Sequence, residues 1–227
     1  MSFLFNDLLQ LISSNYIIFL LFTSYILGSI PFGVIITNIF GYGDIRKIGS
    51  GNIGATNVLR TGNKLLAFLT LILDLLKSLA ILFIIKITLS NSLNNDVLIT
   101  LYILSSFFSI LGHMYSPFLR FNGGKGIATS AGVLLFISYP IAILTSIIWS
   151  LIALGTKKSS LGALFASLSS LIFLWSFQQM SIAEVISKNY SITNKELYLF
   201  LVITIAIWLK HIPNIKRLIN NTESEIK

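Results

Sequence analysis

The chain has 227 residues, of which 55% are hydrophobic and only 11% charged, with a mean hydropathy of +0.86, far too apolar for a soluble domain of that length. Sixteen Lys and Arg against eight Asp and Glu give a net charge of +8, a basic excess that marks cytoplasm-facing membrane loops rather than a nucleic-acid surface. The absence of cysteine excludes a disulfide framework, a thiolate nucleophile and a cysteine metal site.

Asn6 and Asp7, with no Lys or Arg, precede the first apolar run, and no small-residue cleavage site follows it, so a removable signal peptide is not expected. A spanning helix needs about 20 apolar residues to cross a core of about 30 Å. Residues 16–39 supply the first such run, uncharged throughout. A polar, glycine-rich loop over 41–64 follows, and then a second span, 65–85, interrupted by Asp74 and Lys77. Charges at membrane depth invite a functional reading, but these two neutralise each other at i, i+3 helical spacing, which favours a structural ion pair. An Asn-rich turn over 89–96 leads to a third uncharged span, 97–119, closed by a second basic glycine loop at 120–126.

Residues 127–154 carry no charge, and as one straight helix they would run roughly 42 Å. Pro140 offers a break. A single crossing would put Lys157 and Lys158 opposite the other basic loops, whereas a fold-back near Tyr139 and Pro140 joins them to those loops, as the positive-inside rule favours. The fold-back predicts two helices of roughly 20 Å each, too short to cross alone. Spans over 161–180 and 197–209 complete an all-α integral membrane protein of seven transmembrane or partly spanning helices. The loops at 41–64, 120–126, 155–160 and 210–227 then share one face with 12 of the 16 Lys and Arg, and the opposite face holds Lys188 and Lys195. This puts the four basic loops and the C-terminus in the cytoplasm and the amino terminus outside. With no internal repeat or separate soluble stretch, residues 1–227 read as one membrane-embedded domain.

Residues 49–54 match G-x-G-x-x-G, but a dinucleotide fingerprint needs a strand before it and a βαβ unit around it. This loop joins two spans, and Asp74, where a ribose-binding acid would fall, lies inside one. The anion chemistry survives that exclusion. Glycines expose backbone N–H groups, Ser50, Asn52, Thr56 and Asn57 add neutral donors, and Arg46, Lys47 and Arg60 add charge. In the second loop Gly123, Gly124, Lys125 and Gly126 open onto the helix at Ile127, so amides at a helix start and one lysine are expected to cradle an anion. It is no Walker A loop, because Gly126 follows the lysine and Leu119 stands where the first glycine belongs, so ATP is not implied. Of two histidines, His113 reads as a packing residue, and His211 has Lys210, Asn214 and Arg217 around it, on the anion-binding side, where it can meet a phosphate or take a hydroxyl proton. Two histidines without cysteine make no zinc site, so no metal is expected. Ser160, after Lys157 and Lys158, reads either as part of a helix cap or as a ligand.

Several strings resemble one family, the bacterial acyl-phosphate-dependent glycerol-3-phosphate acyltransferases known as PlsY: GSIPFG at 28–33, DIR at 44–46, GSGNIGATNVLR at 49–60, DLLK at 74–77, GH at 112–113, FNGGKGIAT at 121–129, SL at 160–161 and HIPNIKRL at 211–218. One departure lies in the tail, where Asn221 replaces the usual glycine two residues before Glu223; Asn tolerates the left-handed backbone such a turn needs. The resemblance implies a seven-helix enzyme of the bacterial plasma membrane, without cofactor. Such an enzyme transfers a fatty acyl group from acyl phosphate to the 1-hydroxyl of glycerol 3-phosphate, giving lysophosphatidic acid and phosphate for phospholipid synthesis. By matching position it implies Ser50, Arg60, Lys125, Ser160, His211 and Asn214 as the catalytic and phosphate-binding set, with Asn52, Thr56 and Asn57 secondary. The enzyme that forms acyl phosphate is a candidate partner. Neither histidine begins the H-x-x-x-x-D motif of other glycerolipid acyltransferases. The rival reading is a transporter for a phosphorylated metabolite, but transporters bind near the midplane between repeats, and here the polar groups gather on one face.

Overall fold

A computed structural model describes residues 14–187 and 191–226, and these are helical with no strand. The expectations for Asn6, Asp7 and Lys188 lie outside the described residues.

The first apolar run is bent rather than straight. Helix α1 (Asn15–Ser29) ends at Ile30, and α2 (Phe32–Ile39) restarts after Pro31 at 45° to it. Pro31 brings no N–H and pushes Ile30 to extended backbone. Two side chains take up carbonyls at the break: Ser116 Oγ donates to Ser29 O at 2.7 Å and Lys77 Nζ to Ile30 O at 3.3 Å. The short helix α3 (Ala55–Leu59) follows in the first glycine loop. Helix α4 (Lys64–Leu89) starts where the Asn63 side chain accepts from Leu66 N–H, and α5 (Asn95–Met114) where Asn94 accepts from Val97 N–H.

The uncharged stretch breaks at Ser138, one residue before the expected place, into α6 (Ile127–Ile137) and α7 (Tyr139–Thr156). The two pack against each other, and Ala131 and Leu135 of α6 share a groove with Ala142, Ser146 and Ser150 of α7. One part of the expectation changes: α7, at 18 residues, is long and apolar enough to cross, and only α6, at 11 residues, is short. Helices α8 (Ser159–Ile182), α9 (Asn194–Lys210) and α10 (Ile212–Ile219) complete the chain; α9 opens on a capping box between Thr193 and Glu196, and α10 leaves it at 57°. The described residues therefore hold four helices able to span a membrane by length and composition, or six if each bent pair counts as one.

Small residues let the backbones approach. A Cβ at Gly112 of α5 would overlap the Tyr25 carbonyl of α1, and one at Gly28 would overlap Ser109 O. Such close crossings replace the hydrophobic drive that is missing between helices in lipid. Ile81, Leu82, Leu101, Leu174 and Ile203 are buried between helices, while Phe22, Ile87, Leu154, Trp175 and Ile205 face outward as a lipid-compatible belt.

Candidate functional site

Both glycine loops, the start of α8 and the tail after α9 converge on one cavity of about 500 Å³. The first loop is built around Asn57, buried in α3. Its amide donates to the carbonyls of Ile45, Ile48 and Asn52 at 2.8 to 3.0 Å. Its Oδ1 receives Ser50 N–H at 3.0 Å and Arg60 Nη1 at 3.0 Å. Arg60 is fixed at its other end by Ser224 Oγ, which accepts from Nη2 at 2.9 Å. Thr56 and Ser159 hydroxyls lie 3.0 Å apart and link this loop to α8.

In the second loop Gly126 takes a left-handed φ of 82° just before α6, so glycine is required there. Gly123 and Gly124 use their N–H groups on the carbonyls of Met114 and His113, at 3.2 and 2.9 Å. Those two amides therefore shape the loop and are not free to cradle an anion. Lys125 carries the loop's charge into the cavity and donates to Asn214 Oδ1 at 2.6 Å. Burial, with Arg217 and Arg60 adding to it and Glu223 opposing, brings its ammonium down to about 8.

The bend between α9 and α10 supplies His211 and Asn214. His211 Nδ1 lies 2.8 Å from the Ile207 carbonyl. A carbonyl only accepts, so Nδ1 carries the proton and Nε2 keeps its lone pair. Beyond the end of α9, burial first and Lys125 second hold this imidazole at about 4, so it is neutral near pH 7. Past α10 the chain turns through Asn221, whose φ of 56° is the left-handed conformation expected at that position. The turn delivers Glu223 to the centre of the wall: Oε1 accepts from Ser160 Oγ at 2.7 Å and Asn214 Nδ2 at 2.6 Å, and Oε2 from Arg217 Nε at 2.7 Å. Burial opposes the Glu223 charge, but these three donors outweigh it and hold the carboxyl below its usual range.

Of the residues singled out by sequence, Ser50, Asn52, Thr56, Asn57, Arg60, Lys125, Gly126, Ser160, His211 and Asn214 all line this cavity. Gly123 and Gly124 do not, and neither does Arg46. The Arg46 guanidinium is spent outside on Asp44 at 2.6 Å and holds that carboxyl down at about 2. Ser160 is not the helix cap, which falls on Lys158. Glu223 and Ser224 were not singled out for the site, although the tail resemblance had already pointed to the turn before Glu223. The expected ion pair is present, with Lys77 Nζ 2.9 Å from Asp74 Oδ1, and His113 joins it.

The rest of the cavity wall is mainly apolar, with Phe68 and Leu71 of α4, Leu134 of α6, Trp149 of α7, and Phe200 and Ile203 of α9, interrupted by hydroxyls such as Ser146, Ser167 and Thr204 and by Asp74 and His113. The fold and the site together define an integral membrane protein whose cavity joins basic, hydrogen-bonding groups to apolar helix faces, suited to a phosphorylated amphiphile.

A family model described as glycerol-3-phosphate acyltransferase matches residues 18–221. The glycerol-3-phosphate acyltransferase of Brucella canis is 44% identical over 202 residues, 89% of each chain. That of Nitrobacter winogradskyi is 43% identical over 202 residues, covering 89% of this chain and 92% of its own. A crystal structure of PlsY (YgiH), an integral membrane glycerol 3-phosphate acyltransferase in its glycerol 3-phosphate form, superposes with a TM-score of 0.76 at 33% identity, over 92% of this chain and 95% of that one. Its lysophosphatidic acid form gives 0.74 at the same identity. The chain belongs to the glycerol-3-phosphate acyltransferase family.

Proposed function

We propose that the protein transfers a fatty acyl group from acyl phosphate to the 1-hydroxyl of sn-glycerol 3-phosphate, releasing lysophosphatidic acid and inorganic phosphate. The observation that carries this reading is a cavity lined both by the cations Arg60 and Lys125 and by apolar helix faces. Each substrate carries a phosphate for the cations, and one carries an acyl chain for the apolar walls.

In the reaction the glycerol hydroxyl oxygen attacks the acyl carbon, the bond from that carbon to the phosphate oxygen breaks, and the phosphate departs with its electron pair. A mixed anhydride has a good leaving group, so positioning and charge neutralisation supply most of the rate. Ser50, Arg60, Lys125, Ser160 and Asn214 hold the two phosphates, with Asn52, Thr56, Asn57 and Gly126 shaping the pocket. The hydroxyl proton passes to a phosphate oxygen or to the free Nε2 of His211. Charge distribution supports the loops, the site and the C-terminus on the cytoplasmic side of a bacterial plasma membrane, in a seven-helix, single-domain arrangement with the amino terminus outside. There the enzyme that makes acyl phosphate can feed it.

Purified protein given labelled glycerol 3-phosphate with acyl phosphate, acyl-CoA or acyl-carrier protein tests the reading. Lysophosphatidic acid formed with acyl phosphate alone supports it. Uptake of glycerol 3-phosphate into liposomes without acylation overturns it in favour of transport.

A further inference from the structure

Asp74, Lys77 and His113 are buried together beneath the second glycine loop, at 2%, 6% and 4% exposure, and the transfer chemistry above uses none of them. Lys77 Nζ donates to Asp74 Oδ1 at 2.9 Å, to Ile30 O at 3.3 Å and to His113 Nδ1 at 2.7 Å. An ammonium has three hydrogens and no lone pair, so these three acceptors saturate it, Nδ1 is the unprotonated ring nitrogen, and the ring proton sits on Nε2. Lys77 thereby locks the rotation of the imidazole and ties it to the break in the first span.

The locked residue meets the loop twice. Its carbonyl accepts Gly124 N–H at 2.9 Å. Its ring lies against Gly124 so closely that an added Cβ would overlap Nε2, and the nearest atoms to that Cβ all belong to the ring. Gly124 has no positive φ, so space and not backbone angle demands glycine there. The next residue is Lys125, whose ammonium reaches the cavity.

We propose that His113 and Lys77, anchored by Asp74, are positioning residues for acyl transfer: the locked ring props Gly124 at the height that aims Lys125 at a substrate phosphate. This rests on the acyl-transfer reading. The ring acts through the loop backbone, and a misplacement of about 1 Å in such a site costs up to about 10²-fold in rate.

The test uses the full-length protein in detergent, with steady-state kinetics in both substrates for wild type, His113→Phe, His113→Asn, Lys125→Met and the His113→Phe/Lys125→Met double variant. His113→Phe is expected to raise the KM of the same phosphate substrate that Lys125→Met raises, by about tenfold, with a smaller change in kcat. His113→Asn keeps an acceptor for Lys77 and is expected to recover most of that loss. Adding His113→Phe to Lys125→Met is expected to cost nothing more, because the ring acts through a lysine already gone. A KM within about twofold of wild type, or the full extra penalty in the Lys125→Met background, overturns the proposal. Where His113→Phe fails to fold, Gly124→Ala probes the same contact: it should raise that KM, and adding His113→Ala should relieve the rise, while an unrelieved rise counts against the proposal. Wild type unable to acylate glycerol 3-phosphate overturns the acyl-transfer reading itself, whereas failure of the positioning role appears only against an active wild type.

Discussion

Lys125 Nζ donates to Asn214 Oδ1 at 2.6 Å, joining the second glycine loop to α10 across 89 residues of chain. Asn214 passes the connection to Glu223, which holds Ser160 and Arg217 in turn. The second glycine loop, α8, α10 and the tail are thus locked to one another, and a donor set held in place by its own hydrogen bonds needs little reorganisation when charge develops on a departing phosphate.

Lys125 sets the alkaline limit of activity. Its ammonium, drawn down to about 8 chiefly by burial, is charged below that pH and neutral above it. The kcat/KM of the wild type is expected to fall on the alkaline side with an apparent pKa near 8, while Lys125→Met is slower by about 10² or more and lacks that limb. Stability moves the opposite way. Between about pH 8 and the usual 10.5 the unfolded chain binds the proton that the folded protein has released, so stability contributed by this group rises with pH. Rate profiles and thermal unfolding on the same samples read both slopes, and a parallel fall would contradict the assignment.

His211 is expected to set the acid limb of the pH profile. Held at about 4, it keeps a free Nε2 at neutral pH and loses it to protonation near pH 4, where kcat/KM should drop. His211→Ala is expected to lower kcat by about 10², the usual contribution of a positioned base. A kcat close to wild type would assign the hydroxyl proton to a phosphate oxygen instead.

Glu223 is the centre of the wall. Glu223→Ala leaves Ser160, Asn214 and Arg217 without their shared acceptor, so it is expected to cost about 1–3 kcal/mol of stability for buried donors left unpaired and to lower kcat/KM as Asn214, which holds Lys125, loses its anchor. Differential scanning fluorimetry in detergent and initial rates measure the two effects, and an unchanged melting temperature would count against this account.

Gly112 tests the close crossing of α1 and α5. Its missing Cβ lets α5 press against the Tyr25 carbonyl and Ser29 of α1, so Gly112→Ala is expected to destabilise by about 1–3 kcal/mol through overpacking. Thermal unfolding in detergent measures the loss, and a melting temperature equal to that of wild type would count against the close crossing.

Composition and periodicity determined the membrane class, the order of the apolar runs, the break near Pro140 and the positions of both basic glycine loops, because lipid demands long uncharged runs and leaves glycines and cations to the loops between them. Ten of the thirteen residues picked for the site line the cavity that the structure forms. The sequence was silent on which polar groups are spent on one another. Arg46 is paired outward with Asp44, the Gly123 and Gly124 amides close their own turn, and Glu223 reaches Ser160 across 63 residues. Such pairings depend on distances of about 3 Å between segments far apart in the chain, and only helix packing sets those distances. The glycine-rich loop at 49–60 was legible as a loop of site residues from its sequence alone; that Asn57 would become its internal strut, leaving Arg60 to line one cavity with Lys125 and His211, was decided by tertiary structure.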